Sequence, residues 1–221
     1  MANPKNALIL VLNFLYRTIR IAKNINYTKL NETSEFYLFY KHIAKFSSIT
    51  EGEFDDIMSY FSKITFKKGD NLAKLGEKVN HTYWISKGLA VSNYIDNLGK
   101  EHIMQFANEG CWITDQQAFY NQTIAIFDIV CLEQTEAISI SFENREKLCA
   151  AIPKMENFFR RKANDSFVKQ QKRLLTYMTN DATERFNLLL KEYPDLIQRI
   201  SKRKLAAYLG VSRETLSRLK R

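Results

Sequence analysis

The sequence predicts an α+β chain: a β-roll (jelly-roll) with flanking helices, then one long helix, then a small basic helix-turn-helix end. Three observations carry this reading. Five of the seven glycines, Gly69, Gly76, Gly88, Gly99 and Gly110, punctuate residues 64–142, with short β-branched and aromatic runs between them. From Pro153 to Met178 apolar residues recur at steps of three and four. The last 22 residues, ISKRKLAAYLGVSRETLSRLKR, read as two short helices around a glycine.

Composition bounds the function. With 221 residues, 45% hydrophobic and 13% aromatic, the chain suits one or two soluble globular domains and excludes disorder as its main state. The net charge of +9 is unevenly placed: +5 over residues 1–50, −6 over 51–150 and +10 over 151–221. A basic end on an acidic middle points to an anionic partner for that end, against the alternative of a solvated charged helix surface. Cys111, Cys131 and Cys149 form no close-spaced pair, and only His42, His81 and His102 accompany them. Neither a metal, nor a disulfide framework, nor any other cofactor is expected.

Residues 1–34 read as an N-terminal extension. The run Ala7–Tyr16 is apolar except for Asn13, too short for a membrane span of roughly 20 residues, and no small-residue cleavage site follows it. It is an extra helix against the body or a partner, or a leader; no membrane is expected as partner, and the location expected is cytoplasmic. Residues 35–152 form the β-roll with its flanking helices. Residues 35–62 read as helical, with a capping box at Thr50-Glu51-Gly52-Glu53 and Phe54, Ile57, Met58 and Phe61 on one face. Asn97-Leu98-Gly99-Lys100 reads as a hairpin turn. Ile138 to Phe142 alternate like a strand with one buried face, and a helix follows from Glu143 to Ala151.

Residues 153–179 are the long helix, opened by Pro153. Met155, Phe159, Ala163, Phe167, Gln170, Leu174 and Met178 share a seam that suits pairing with a second copy, Gln170 fixing register, or packing on the chain's own roll. Both stay open. Residues 180–221 form the basic helix-turn-helix unit, launched by a capping box at Asp181–Glu184 and continued to Tyr193-Pro194.

In the helix-turn-helix, Ser201 caps a helix that buries Leu205, Ala206 and Leu209; Gly210 makes the turn; Ser212 caps a second helix anchored by Val211, Leu216 and Leu219. Arg213, Glu214, Ser217, Arg218 and Lys220 stay accessible. Arginine reads guanine and glutamate accepts from cytosine, so Arg213, Glu214 and Arg218 are the expected base readers. Ser201, Lys202, Arg203, Ser212 and Thr215 are the expected phosphate contacts. Residues 199–221 hold eight cations against the single acid Glu214, which favours double-stranded DNA as partner.

The stretch V-S-R-E-T-L-S-R at 211–218 resembles the recognition-helix signature of the Crp/Fnr family of bacterial transcription regulators, and the order of elements over roughly 35–221 matches it. The resemblance implies a cyclic-nucleotide-binding-like β-roll, a dimerisation helix and a C-terminal winged-helix DNA-binding domain. It gives Arg213, Glu214 and Arg218 the base-reading positions, and Ser201, Lys202 and Ser212 the phosphate-contacting ones. The chain ends at Arg221, so the wing is expected to be missing.

The sensor site departs from the family's cyclic-AMP pattern. Where G-E-L-(A/G)-L is expected the chain has Thr114-Asp115-Gln116-Gln117-Ala118, and Ala125-Ile126-Phe127 replaces the arginine triplet. An acid survives as Asp115, but the phosphate-binding arginine does not, and burying a cyclic phosphate without it leaves an unpaired charge. Cyclic AMP is not the expected effector; Asp115, Gln116 and Ala125 mark the candidate pocket for an unidentified one, apolar or anionic, and no effector at all is the alternative. The N-terminal cysteine cluster of oxygen-sensing relatives is missing. Cys111 and Cys131 are expected to be small buried apolar residues, not a redox switch, and Trp84 and Trp112 to be core. The reading is a non-enzymatic homodimeric regulator. Its rival is a ligand-binding β-barrel module or enzyme whose basic tail docks to a protein or membrane; no H-x-H with a nearby acid supports a metal barrel enzyme.

Overall fold

The computed structural model describes residues 34–219. The extension's apolar run, Lys220 and Arg221 lie outside the described residues. The chain opens with α1 (Glu35–Ala44) and α2 (Glu51–Met58), so the continuous helical reading of 35–62 is corrected. The buried Ser47 hydroxyl donates to the Lys154 carbonyl at 2.9 Å, which draws residues 45–50 out of helix. The capping box then restarts it: Thr50 Oγ1 accepts from the Glu53 amide, and Glu53 Oε2 accepts from the Thr50 amide at 2.8 Å.

Eight strands follow: β1 (Ser62–Phe66), β2 (Asn71–Ala73), β3 (His81–Lys87), β4 (Ala90–Ile95), β5 (Glu101–Ala107), β6 (Trp112–Ile113), β7 (Asp128–Cys131) and β8 (Thr135–Ser141). The short α3 (Gln116–Asn121) lies between β6 and β7. Two antiparallel four-stranded sheets, ordered β1-β8-β3-β6 and β2-β7-β4-β5, enclose a core that includes Ile85, Ala107, Ile113, Phe119, Ile129 and Ala137. The predicted hairpin turn joins β4 to β5, with Gly99 at φ +76°. Gly88 sits at φ +101° where a Cβ would run into the backbone at Gln134 and Thr135, so only glycine fits between β3 and β4.

The outer face of the first sheet is covered by α1, α2, α4 (Phe142–Ala151) and the start of α5 (Pro153–Thr179). Phe39, Phe54, Phe158, Trp84, Ile138 and Ile140 meet there, each fully buried phenylalanine contributing roughly 1.5–3 kcal/mol. The one-sided reading of β8 is therefore corrected: Ile138 and Ile140 face the helices while Ala137 faces the roll interior, and Ser139 is buried too. Phe142 opens α4, capped by Ser141.

α5 has 27 residues, about 40 Å at helical rise. Met155 and Phe159 of the expected dimer seam are buried in the chain's own core, at 0% and 8% exposure, because the first turns of α5 close the aromatic cluster. Phe167, Gln170 and Leu174 are exposed. The second sheet's outer face, with Leu89, Val91, Ile103 and Phe106, packs on α6 (Ala182–Glu192), α7 (Leu196–Arg199), α8 (Lys202–Leu209) and α9 (Arg213–Leu219).

Candidate nucleic-acid interface

α8 and α9 form the expected helix-turn-helix. Ser201 Oγ accepts from the Lys204 amide, Leu205, Ala206 and Leu209 are buried, and Gly210 turns at φ +69° with its amide on the carbonyls of Ala206 and Ala207. A Cβ at Gly210 would also fall onto the Tyr177 hydroxyl of α5, which donates to the Tyr208 carbonyl at 3.2 Å. Ser212 Oγ accepts from the Thr215 amide at 3.1 Å and launches α9. Leu216, 1% exposed, anchors α9 against α6 and α8.

At 100° per residue, Arg213, Ser217, Glu214 and Arg218 span one arc of α9 and Thr215, Leu219 and Leu216 the opposite one. All four residues of the first arc are exposed. The Glu214 carboxyl is held below the usual carboxylate range by its own backbone amide and by Ser212, so it stays an acceptor. Among the expected phosphate contacts, Ser201, Lys202 and Ser212 are exposed, Ser201 and Ser212 also acting as caps, whereas the Thr215 hydroxyl is engaged with Ser212 Oγ at 3.2 Å.

Arg203 and two neighbouring cations have partners that the charge count did not foresee. Arg203 Nε and Lys204 Nζ both donate to Glu101 of β5, at 3.3 and 2.8 Å, and the Glu101 side chain is 8% exposed. Arg199 makes four hydrogen bonds of 2.8–3.1 Å to Glu109 and Glu133. These pairs raise the Arg199 pKa further, fixing its charge. Part of the basic end therefore complements the acidic roll. Arg173 of α5 completes this junction: Nη2 donates to the Ile103 carbonyl at 2.8 Å while its guanidinium lies 4.1 Å from the Tyr208 ring centroid. The opposite charges of the two segments were the signal in the sequence for this contact.

The candidate effector residues do not line one common cavity. Asp115 is fully buried, and its two carboxylate oxygens accept from the amides of Ala118 and Ile126 at 3.0 and 2.8 Å. It caps α3 and staples that helix to the segment before β7. Gln116 is exposed and Ala125 buried. Ala125 does line an open cavity of 640 Å³ on the roll, whose other lining residues include Leu75, Tyr94, His102, Met104 and Ile126. The arrangement does not fit a cyclic phosphate, because no lysine or arginine among the described residues lines this cavity.

Burial pushes the thiols of Cys111, Cys131 and Cys149 up, as for packed apolar side chains. Trp84 and Trp112 belong to the aromatic core. Among the described residues no group of three or more His, Cys, Asp and Glu is placed to hold a metal ion. No helix among them is long and apolar enough to cross a membrane.

Comparison with known proteins agrees with this architecture. Residues 63–151, the strands of the roll and α4, match the family model of the cyclic nucleotide-binding domain. Over about three quarters of the chain the fold is similar to that of solved transcription regulators. It is similar to CLP, described as a c-di-GMP responsive global regulator of Xanthomonas campestris, at 14% identity over 77% of this chain and 89% of that one, with a TM-score of 0.63. FixK2 from Bradyrhizobium japonicum is 16% identical over 72% of this chain and 82% of its own, with a TM-score of 0.61. A regulator assigned to the crp/fnr family from Eubacterium rectale is 14% identical over 77% and 82%, again with a TM-score of 0.61. At these identities the likeness establishes the fold. No curated protein matches the sequence.

Proposed function

We propose that the protein is a homodimeric, DNA-binding transcription regulator that reads a near-palindromic site through α9. The observation that carries this reading is the arc of Arg213, Glu214 and Arg218, exposed on a helix whose opposite side is locked by Leu216. Arginine bidentate to guanine and glutamate accepting from cytosine supply direct readout, and Lys202 at the start of α8 supplies a backbone contact. Phe167, Gln170 and Leu174 on the outer half of α5 supply the face for a second copy, which sets two recognition helices about 34 Å apart. The task is recognition, not catalysis.

Selection from a pool of random duplex DNA tests the proposal. An enriched inverted repeat is the expected result, and no enrichment under any condition overturns it. On the selected site Arg218→Ala is expected to cost about 1–3 kcal/mol and to relax preference at one base pair. An equal loss on every sequence would make Arg218 a phosphate contact. Lys202→Ala weakens binding evenly and flattens its salt dependence.

A further inference from the structure

The open cavity of the roll has an unusual lining for a protein surface. Leu75, Tyr94, Met104, Ile124 and Ile126 are 40–58% exposed and lie together around it, which makes its walls almost wholly apolar. Its 640 Å³ falls inside the range of about 300–1,000 Å³ typical of small-ligand sites. No lysine or arginine among the described residues lines it. The nearby carboxylates are engaged by protein partners: Asp96 holds His102 Nε2 at 2.7 Å, Asp128 accepts from the Leu75 amide at 2.8 Å, and Asp115 accepts from the Ile126 amide at 2.8 Å. With no lysine or arginine among the described lining residues to pair a buried anion, the apolar walls favour a neutral ligand with Tyr94 and His102 as polar contacts.

Strand β5 connects this cavity to the recognition unit. In its ladder with β4, Ser92 pairs with Gln105 and Asn93 with Ile103, which leaves Met104 as an extra, unpaired residue. The bulge turns Met104 into the cavity and places both Ile103 and Phe106 on the other face, in one cluster with Leu205, Ala206 and Leu209 of α8. Phe106 meets the Tyr208 ring at a centroid distance of 5.2 Å. Glu101, at the head of the same strand, holds Arg203 and Lys204.

We infer that this cavity binds a small, neutral, largely apolar molecule, and that the Met104 bulge of β5 passes its presence to the helix-turn-helix. The inference rests on the regulator reading above and names the ligand class of its sensor. A ligand that displaces Met104 shifts the register-breaking residue on which Ile103 and Phe106 depend, so the α8 contact responds to occupancy.

The test uses the full chain with Nile red as a neutral apolar probe, 1-decanol and cyclic AMP as competitors, and anisotropy of the selected DNA duplex as a second readout. The expected result is saturable Nile red binding, displaced by decanol and not by cyclic AMP. Met104→Glu is expected to weaken it about tenfold or more. Leu98→Glu, at the exposed hairpin tip outside the cavity, leaves it unchanged. Decanol is expected to shift DNA affinity about fivefold or more in the wild type and not in Met104→Glu. Displacement by cyclic AMP, probe binding indifferent to both Met104→Glu and Ile126→Glu, or probe affinity that falls as protein concentration rises overturns the inference, the last because it assigns the cavity to a second copy. Probe binding without any shift in DNA affinity overturns the link through β5. Saturable binding to a protein that selects no DNA supports the cavity assignment and refutes only the regulator reading.

Discussion

The two halves of α5 share one helical periodicity and live in different surroundings. In the first half Met155, Phe158 and Phe159 are buried among His42, Phe46 and Trp112, and the Arg145 guanidinium lies 4.6 Å from the Phe159 ring centroid. In the second half Phe167, Leu174, Leu175 and Met178 are 60–76% exposed. Arg173 and Tyr177 tie that half to β5 and α8. The first half is part of the aromatic core between the helices and the first sheet; the second is a beam that carries the helix-turn-helix and, in the proposed dimer, meets its copy. An apolar seam thus records that something covers a helix face, not which molecule supplies the cover.

Substitutions can break this contrast. The largest effect is expected from Phe158→Ala, which opens a cavity in the aromatic core and costs about 3–5 kcal/mol in denaturant unfolding, independent of protein concentration. Next is Gly210→Ala, where the outer half of α5 meets the turn. A left-handed backbone and the Tyr177 ring together cost about 1–3 kcal/mol, and DNA affinity falls with it. If Gly210→Ala were neutral, Tyr177 would not be fixing the turn.

A smaller effect follows from pH. Burial first, and the Lys162 charge on α5 second, hold the His42 pKa at about 4 in place of 6.5. The neutral ring accepts from Trp112 Nε1 at 3.0 Å, a contact that protonation removes. As pH falls the unfolded chain takes the proton first. Stability is therefore full above about pH 6.5 and declines towards pH 4, by on the order of 2 kcal/mol. His42→Gln should flatten that slope; an unchanged slope would place the titration elsewhere. The smallest effect is expected from Leu174→Ala, within about 0.5 kcal/mol in dilute protein and growing with concentration only as copies associate. A large effect at every concentration would make both halves of α5 core.

Features set by neighbours in the chain were legible in advance. Both capping boxes, the Gly99 hairpin, the Ser201 and Ser212 caps and the Gly210 turn each depend on residues within about four positions, and all are present. The exposed arc of α9, Arg213, Glu214, Ser217 and Arg218, was legible for the same reason. Long-range partners were not. Asp115 carries the residue type of a ligand contact, yet its oxygens are used by Ala118 and Ile126. Arg203 belongs to a phosphate-contacting pattern, yet Glu101, 102 residues away, pairs with it. A titratable side chain in sequence does not say which opposite group the fold brings to it.

The sequence by itself determined the order of elements, the glycine-punctuated roll, the helix-turn-helix and the side of α9 that stays accessible, because backbone sterics, capping and helical periodicity act over a few residues. Only the tertiary structure decided that half of the α5 seam is core, that β8 is covered on both faces, that the roll's cavity is apolar, and that Arg199, Arg203 and Lys204 face the roll. Burial and ion pairing depend on which surfaces pack together, and that is fixed by the whole fold at once.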